Sequence, residues 1–379
     1  MTTVNACSWR FAKPISEGRC RVLFVGPHFQ AAVGYTEASL RRRRLGDRVE
    51  ILRATTTTDL WRLVPTAHVA LPFMEPFSEE LLRIAVDLRL VQQFGVGLEG
   101  VRVDAASNLK IAVSNVPARD TGNAEATAEH AVFLAIALLR RAPHDLPDRF
   151  QRSVLGGLPP PKTLYGQNVT VVGFGNVGRQ ICRYAHVMGA RVTAVRKRPW
   201  GEEPRSTLDS NDERNNGNDD NDDDNGDFLE RKSNCLEEVL PTTNVLILAC
   251  PVTEDTKFLM NQTTLGLLPP DALLFNVGRG PLVHYHALRG ALEGRRLGGF
   301  ASDVGVGHDD KPSEPWDPHD PLNALPNVLF TPHVGGYSEL SYRRMTEVVV
   351  DHIECILHQK PPLIWVNQPS SSSSSSSST

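Results

Sequence analysis

The sequence predicts an α/β chain made of two doubly wound parallel-sheet domains, and three observations carry the prediction. Short apolar runs bounded by Gly or Pro alternate with segments of helical spacing, as parallel strands covered on both faces do. A G-x-G-x-x-G motif at 173–178 lies between one such run and a helical segment. The 379 residues suit two or three domains at roughly 150 residues each.

The elements follow in order. Residues 1–20 are rich in Thr, Ser, Arg and Lys and read as a disordered start, with a short transit signal as the sharper alternative. RVLFVG (21–26), AHVALPF (67–73), LRLVQQFG (88–95) and KIAVSN (110–115) read as strands, and SEELLRIA (78–85) as a helix. A long helix is expected over 123–141. Thr121 or Asn123 can cap it, Arg140 and Arg141 suit its negative end, and Pro143 and Pro147 stop it. Over 131–139 it is apolar almost all round, so it must be buried between domains or subunits. GGLPPP (156–161) reads as a linker. NVTVVGFGNVG (168–178), RVTAV (191–195), NVLILAC (244–250), ALLFNVG (272–278), GFASDV (299–304) and NVLFTP (327–332) supply the second sheet, and a last helix reaches about 358. Residues 200–232 are acidic, Asn-rich and almost free of apolar side chains, and 370–378 is a serine run. Neither can offset its own ordering entropy, so both are expected to be disordered and to carry no chemistry.

Composition excludes several classes. The longest apolar run is nine residues, against about twenty for a membrane-spanning helix. Six cysteines lie at 7, 20, 182, 235, 250 and 355, with no Cys-x-x-Cys. A zinc ribbon, a structural metal and a disulfide scaffold are therefore not expected, and a cytoplasmic location is the default, with an organelle as the alternative. The net charge of −4 hides a stretch, 209–227, that carries −8; the remainder is +4. That mild basicity suits a small anionic ligand and is too dispersed for nucleic acid.

In the glycine motif, Gly173 allows a tight turn, Gly175 lets a pyrophosphate approach the backbone, and Gly178 lets the helix pack close. The N–H groups at the helix start, from Asn176 and Val177 onward, would hold the phosphates. This is a Rossmann-like dinucleotide fingerprint. An NAD-specific site would place Asp or Glu after the second strand. Here RVTAV is followed by Arg196, Lys197 and Arg198. Arginine pairs with a 2′-phosphate, so NADP(H) is preferred and NAD(H) remains usable.

Four ordered segments resemble the D-isomer-specific 2-hydroxyacid dehydrogenase family: QFGVGLEGVRVDAA (93–106), ACPVTEDTKFLMN (249–261), FNVGRGPLVHYHALRGALEGRRLGGFASDV (275–304) and TPHVGG (331–336). The short first strand and WDPHDPL look closest to plant-type members grouped with phosphoglycerate dehydrogenases and hydroxypyruvate reductases. The resemblance implies a discontinuous, flavodoxin-like substrate domain (21–142 plus 337–366), a Rossmann domain (143–336), an interdomain cleft holding the active site, and a tail from 367. It also implies a homodimer, with which the apolar face of 124–139 agrees.

The same resemblance assigns roles. Arg279 anchors the substrate carboxylate with its planar fork, and His333 is the acid–base. The family pairs that His with a Glu five residues after the Asp of D-V. Here that position is His308, and Ser313-Glu314-Pro315 looks like the expected Glu-Pro after a six-residue insertion. Glu314 is therefore the candidate partner, ahead of Asp309 or Asp310. Asp303 is expected to accept from the nicotinamide carboxamide. Cys250, Pro251 and Thr256 are expected on the adenosine side, and Val277, Gly278, Gly335 and Gly336 around the cofactor. Val96 and Gly97 would meet the carboxylate from the other domain, and Met74 would face the substrate side chain. The implied reaction is nicotinamide-dependent reduction of a small 2-keto acid such as glyoxylate or hydroxypyruvate to its 2-hydroxy acid. The alternatives are a catalytically weak, NAD(P)-sensing scaffold like the corepressors of this fold, and formate or phosphite oxidation.

Overall fold

A computed structural model describes residues 8–15, 18–27, 30–73, 75–142, 146, 150–153, 160–200, 226–307 and 317–369. The chain divides into two compact units, Met1–Gly122 with Glu339–Thr379, and Asn123–Ser338.

The first unit holds five strands: β1 (Cys20–Val25), β2 (Val49–Ala54), β3 (Val69–Leu71), β4 (Leu90–Gln92) and β5 (Ala112–Ser114). They pair in the order β2-β1-β3-β4-β5, all parallel, which is the flavodoxin-like doubly wound order. β2 and the helices Gln30–Arg42 and Thr57–Leu63 are additional to the elements expected from the sequence. In SEELLRIA the helix is Glu79–Ile84, with the Ser78 hydroxyl accepting from Leu81 N–H, as an N-cap does.

The expectation of a disordered start does not hold for residues 8–15. Trp9 and Phe11 are buried, and both meet Trp365 edge-on, at centroid distances of 4.7 and 5.2 Å. Arg10 Nη1 also donates to Ala85 O at 2.6 Å. Such aromatic burial outweighs the polar composition around it. At the other end, the expected tail begins too early. Val366 N–H donates to Val113 O, and Asn367 Oδ1 accepts from Val113 N–H at 2.8 Å. Residues 1–7, 16–17 and the serine run lie outside the described residues.

The second unit holds seven parallel strands: β6 (Asn168–Val172), β7 (Arg191–Val195), β8 (Arg231–Ser233), β9 (Val245–Leu248), β10 (Leu273–Asn276), β11 (Gly299–Ser302) and β12 (Val328–Phe330). Their order is β12-β11-β10-β9-β6-β7-β8, so the winding reverses between β6 and β9. The acidic segment was expected to run to 232, yet β8 pairs with β7 from Arg231 onward. Trp200, Phe228 and Leu229 pack against the core and anchor the two ends of that segment; residues 201–225 lie outside the described residues. The long helix, Asn123–Leu139, was expected in the first domain. It belongs to the second unit, packed on the helix Asn176–Val187 and on β10 and β11. Burial of Ala131, Leu134, Ala135 and Leu138 in that core fixes it there.

Candidate active site

In an open parallel sheet, ligands gather at the carboxyl ends of the strands, around the reversal of strand order. In the second unit that edge carries, from one side to the other, Arg196 after β7, Gly173 after β6, Cys250 after β9, Arg279 after β10, Asp303 after β11 and His333 after β12.

The glycine turn meets the demands of a dinucleotide at two levels. Gly173 has φ +101°, and a Cβ there would lie 2.7 Å from Ala249 O. A Cβ on Gly178 would lie 1.8 Å from Gly173 O. These two glycines are required by the chain itself. Gly175 is not: its φ is an ordinary −92° and a Cβ would meet nothing within 4 Å. It is also the N-cap of the helix Asn176–Val187, without a side-chain cap hydrogen bond. The helix start at Asn176 and Val177 thus presents N–H groups beside open space, which fits a pyrophosphate.

After β7, the Arg196 guanidinium lies over the Trp200 ring, 4.2 Å from its centroid, and donates to Arg198 O at 3.1 Å and Pro199 O at 2.7 Å. Lys197 is paired with Asp255. Trp200 donates from its indole N–H to Ser233 O at 3.1 Å, which ties this platform to β8.

Cys250 is buried, and burial pushes its thiol up to about 11, so it is a neutral wall, not a nucleophile. The Thr256 hydroxyl bonds back to Pro251 O at 2.8 Å and closes the loop after β9. A Cβ on Gly278 would lie 2.7 Å from Cys250 O, so the loops after β9 and β10 touch there. Val277 N–H continues the ladder to Leu248 O. Asn276, fully buried, sets the next turn: its Oδ1 accepts from Gly278 N–H at 3.1 Å and its Nδ2 donates to Arg279 O at 2.8 Å. Arg279 is extended (φ −146°, ψ 146°) and partly exposed at the head of the turn Gly280–Leu282.

Asp303 is buried and holds the loop after β12. Its Oδ1 accepts from the Thr331 hydroxyl at 2.7 Å and Val334 N–H at 2.9 Å, and its Oδ2 from Gly335 N–H at 2.7 Å. Burial opposes its charge, but hydrogen bonds from His130, Thr331, Val334 and Gly335 outweigh burial and keep its carboxyl below the ordinary range. Gly335 is glycine because a Cβ would lie 2.7 Å from Asp303 Oδ2; at Gly336 it would lie 2.2 Å from Asn123 Nδ2. His333 sits within this loop with φ +52°, rare for a residue with a side chain. Its N–H donates to Thr331 O at 3.0 Å across Pro332, a three-residue turn that suits proline.

Val96 and Gly97 belong to the first unit, after β4, where Val96 O accepts from Asn115 Nδ2 at 2.9 Å. Met74 and Glu314, with Asp309 and Asp310, lie outside the described residues. Asn276, Thr331, Trp200 and His130 escaped the sequence reading as site residues. The polar positions Asn123, Thr127 and His130 at i, i+4 and i+7 on an apolar helix were a signal for the last. Among the described residues, no three His, Cys, Asp or Glu gather as metal ligands, and no helix is long and apolar enough to cross a membrane.

Comparison with known proteins agrees with this geometry. The model of the D-isomer specific 2-hydroxyacid dehydrogenase NAD-binding domain matches residues 132–335. A glyoxylate reductase of Pyrococcus furiosus is 28% identical over 349 residues, 90% of each chain. The (S)-sulfolactate dehydrogenase of Chromohalobacter salexigens is 31% identical over 281 residues, 73% of this chain and 80% of that one. A solved protein of Thermus thermophilus superposes with a TM-score of 0.72 at 27% identity, over 91% of this chain and 99% of its own. With a nucleotide turn at the centre of its sheet edge and the matching domain around it, the chain belongs to the D-isomer specific 2-hydroxyacid dehydrogenases, oxidoreductases that act on 2-hydroxy acids with a nicotinamide cofactor.

Proposed function

We propose that this chain reduces a small 2-keto acid of the glyoxylate or hydroxypyruvate type, with NADP(H) preferred over NAD(H). One observation carries the reading. Arg279 and His333 leave β10 and β12 on either side of Asp303, at the same sheet edge as the uncapped glycine turn. Two relatives named glyoxylate reductase and sulfolactate dehydrogenase support acids of this size.

Arg279 holds the substrate carboxylate in its planar fork, which fixes the keto carbon's orientation. Backbone N–H groups at Val96 and Gly97 are assigned to the same carboxylate, and Met74 to the substrate side chain. Apolar Phe73 and Met74 beside acidic Glu75 disfavour a phosphorylated substrate. His333 gives a proton to the keto oxygen during reduction and takes it back during oxidation. Glu314 is assigned to orient the His333 ring and to keep it protonated near neutral pH. When bound, the nicotinamide supplies the reducing equivalent. The absence of an acidic residue at 196–198, with the Arg196 guanidinium over the Trp200 ring, supports a 2′-phosphate on the cofactor. Exposed Phe133, on a helix whose other large apolar side chains are buried or half-buried, supports a homodimer, which sedimentation at micromolar concentration checks.

The test is the loss of reduced-nicotinamide absorbance with NADPH and NADH in parallel, against glyoxylate, hydroxypyruvate, pyruvate and sulfopyruvate. Turnover is expected, and His333→Ala should lower kcat by about 10²–10⁴. Arg196→Ala should weaken NADPH use while sparing NADH. Cofactor binding without turnover on any of these acids would remove the enzyme reading in favour of a nucleotide-sensing scaffold.

A further inference from the structure

The loop that carries His333 is gripped by a side chain with no part in the reading above, His130 of the helix Asn123–Leu139. Its Nε2 lies 2.8 Å from Thr331 Oγ1 and 3.3 Å from Asp303 Oδ1. The Thr331 hydroxyl has one proton, and at 2.7 Å that proton goes to the Asp303 carboxylate. Its lone pair therefore accepts from His130, which must carry its hydrogen on Nε2. A directed chain results, from His130 Nε2–H to Thr331 Oγ–H to Asp303 Oδ1.

The rest of the same helix face meets the same loop. Asn123, Thr127 and His130 are stacked at helical spacing. Asn123 Nδ2 lies 3.5 Å from Gly336 O, and a Cβ on Gly335 would lie 3.5 Å from Thr127 Cγ2. Asp303 closes the grip from the sheet by binding Val334 and Gly335 N–H. Between these fixed points stands His333 with its left-handed backbone. Such a conformation persists at a side-chain-bearing residue only when its surroundings over-determine it.

We infer that His130 is a positioning residue for His333, acting through Thr331 and Asp303 to fix the backbone of 331–335. The inference rests on His333 being the acid–base. His130 touches neither substrate nor reacting atoms in this role. Its work is to keep the imidazole of His333 from wandering, and a displacement of about 1 Å in a reacting group can cost on the order of a hundredfold in rate.

Two readouts test it on the full-length protein. The first is amide hydrogen exchange at Val334 and Gly335, which needs no turnover. The second is steady-state kinetics with NADPH and glyoxylate. His130→Ala should speed exchange at those two amides tenfold or more while leaving β6 and β9 protected. It should lower kcat about tenfold to a hundredfold with the KM for NADPH unchanged. His130→Gln, which keeps an N–H donor, should recover most of both. Thr331→Val, which keeps shape and removes the hydroxyl, should repeat the His130→Ala result and serves if that variant fails to fold. Unchanged exchange at Val334 and Gly335, or an unchanged kcat in a folded His130→Ala, would overturn the inference. A wild type without turnover would sink the enzyme reading alone, because the exchange rates still decide the grip.

Discussion

Burial settles the ionisation of His352, on the helix Glu339–Leu357 of the first unit. Its Nε2 accepts from Ile364 N–H at 3.2 Å, so the ring hydrogen is on Nδ1, 2.6 Å from Gln92 Oε1. Desolvation lowers its pKa to about 4. The group is a base depressed in the folded state, so the unfolded chain takes up the proton first as pH falls. Its contribution is whole above the ordinary histidine value of about 6.5, and fades as pH drops from there toward 4; the whole effect is on the order of 3 kcal/mol. The urea midpoint should therefore fall across that window, and His352→Gln should flatten the fall. An unflattened slope would assign the acid sensitivity to other groups. Nothing in VVVDHIECIL marks this histidine, because Gln92 and Ser114 lie 260 and 238 residues away. The positions of Arg279, Asp303 and His333 after strands are legible because motif and strand share one stretch of chain. Trp200 is not, since only the fold brings its partners; His130 shows only as a polar position at helical spacing from Asn123 and Thr127, because its partner Thr331 lies 201 residues away.

At the scale of elements, the turn from β6 into the helix Asn176–Val187 separates two kinds of glycine. Gly178→Ala would drive a methyl into Gly173 O, 1.8 Å away, and should destabilise the unliganded protein by about 1–3 kcal/mol. Gly175→Ala meets no atom of the chain. It should shift unliganded stability by no more than about 0.5 kcal/mol while weakening NADPH binding tenfold or more. Denaturant midpoints and a binding titration distinguish the two. A Gly175→Ala protein that binds NADPH as tightly as wild type would refute a phosphate at that position. Strands were legible in proportion to their burial. VLIL of β9 is buried throughout and reads as an unbroken apolar run. The two strands passed over, β2 and β8, are both sheet edges. There VEILRA and RKS keep charged residues facing water, as edge strands do. Trp9 and Phe11 were missed for a different reason: their partner, Trp365, lies at the far end of the chain.

At the scale of the molecule, the first unit is closed by both ends of the chain, and the second is one continuous stretch. Within the second, Arg196 and Arg279 follow β7 and β10, with β6 and β9 between. Three strand spacings place them about 14 Å apart, beyond the range at which substitutions usually couple. In a double-mutant cycle on kcat/KM, Arg196→Ala and Arg279→Lys should add to within about 0.5 kcal/mol. A larger coupling term would mean that the loops after β7 and β10 move together. Additivity has a historical reading as well. A descendant could exchange one electron donor for another by rewriting the chain after β7 and still keep the acid it acts on. With Arg279 and His333 serving the acid as proposed, a change of acid, written after β10 and β12, would leave the donor alone. The order of strands in one sheet would then have let the two halves of the reaction evolve on separate schedules.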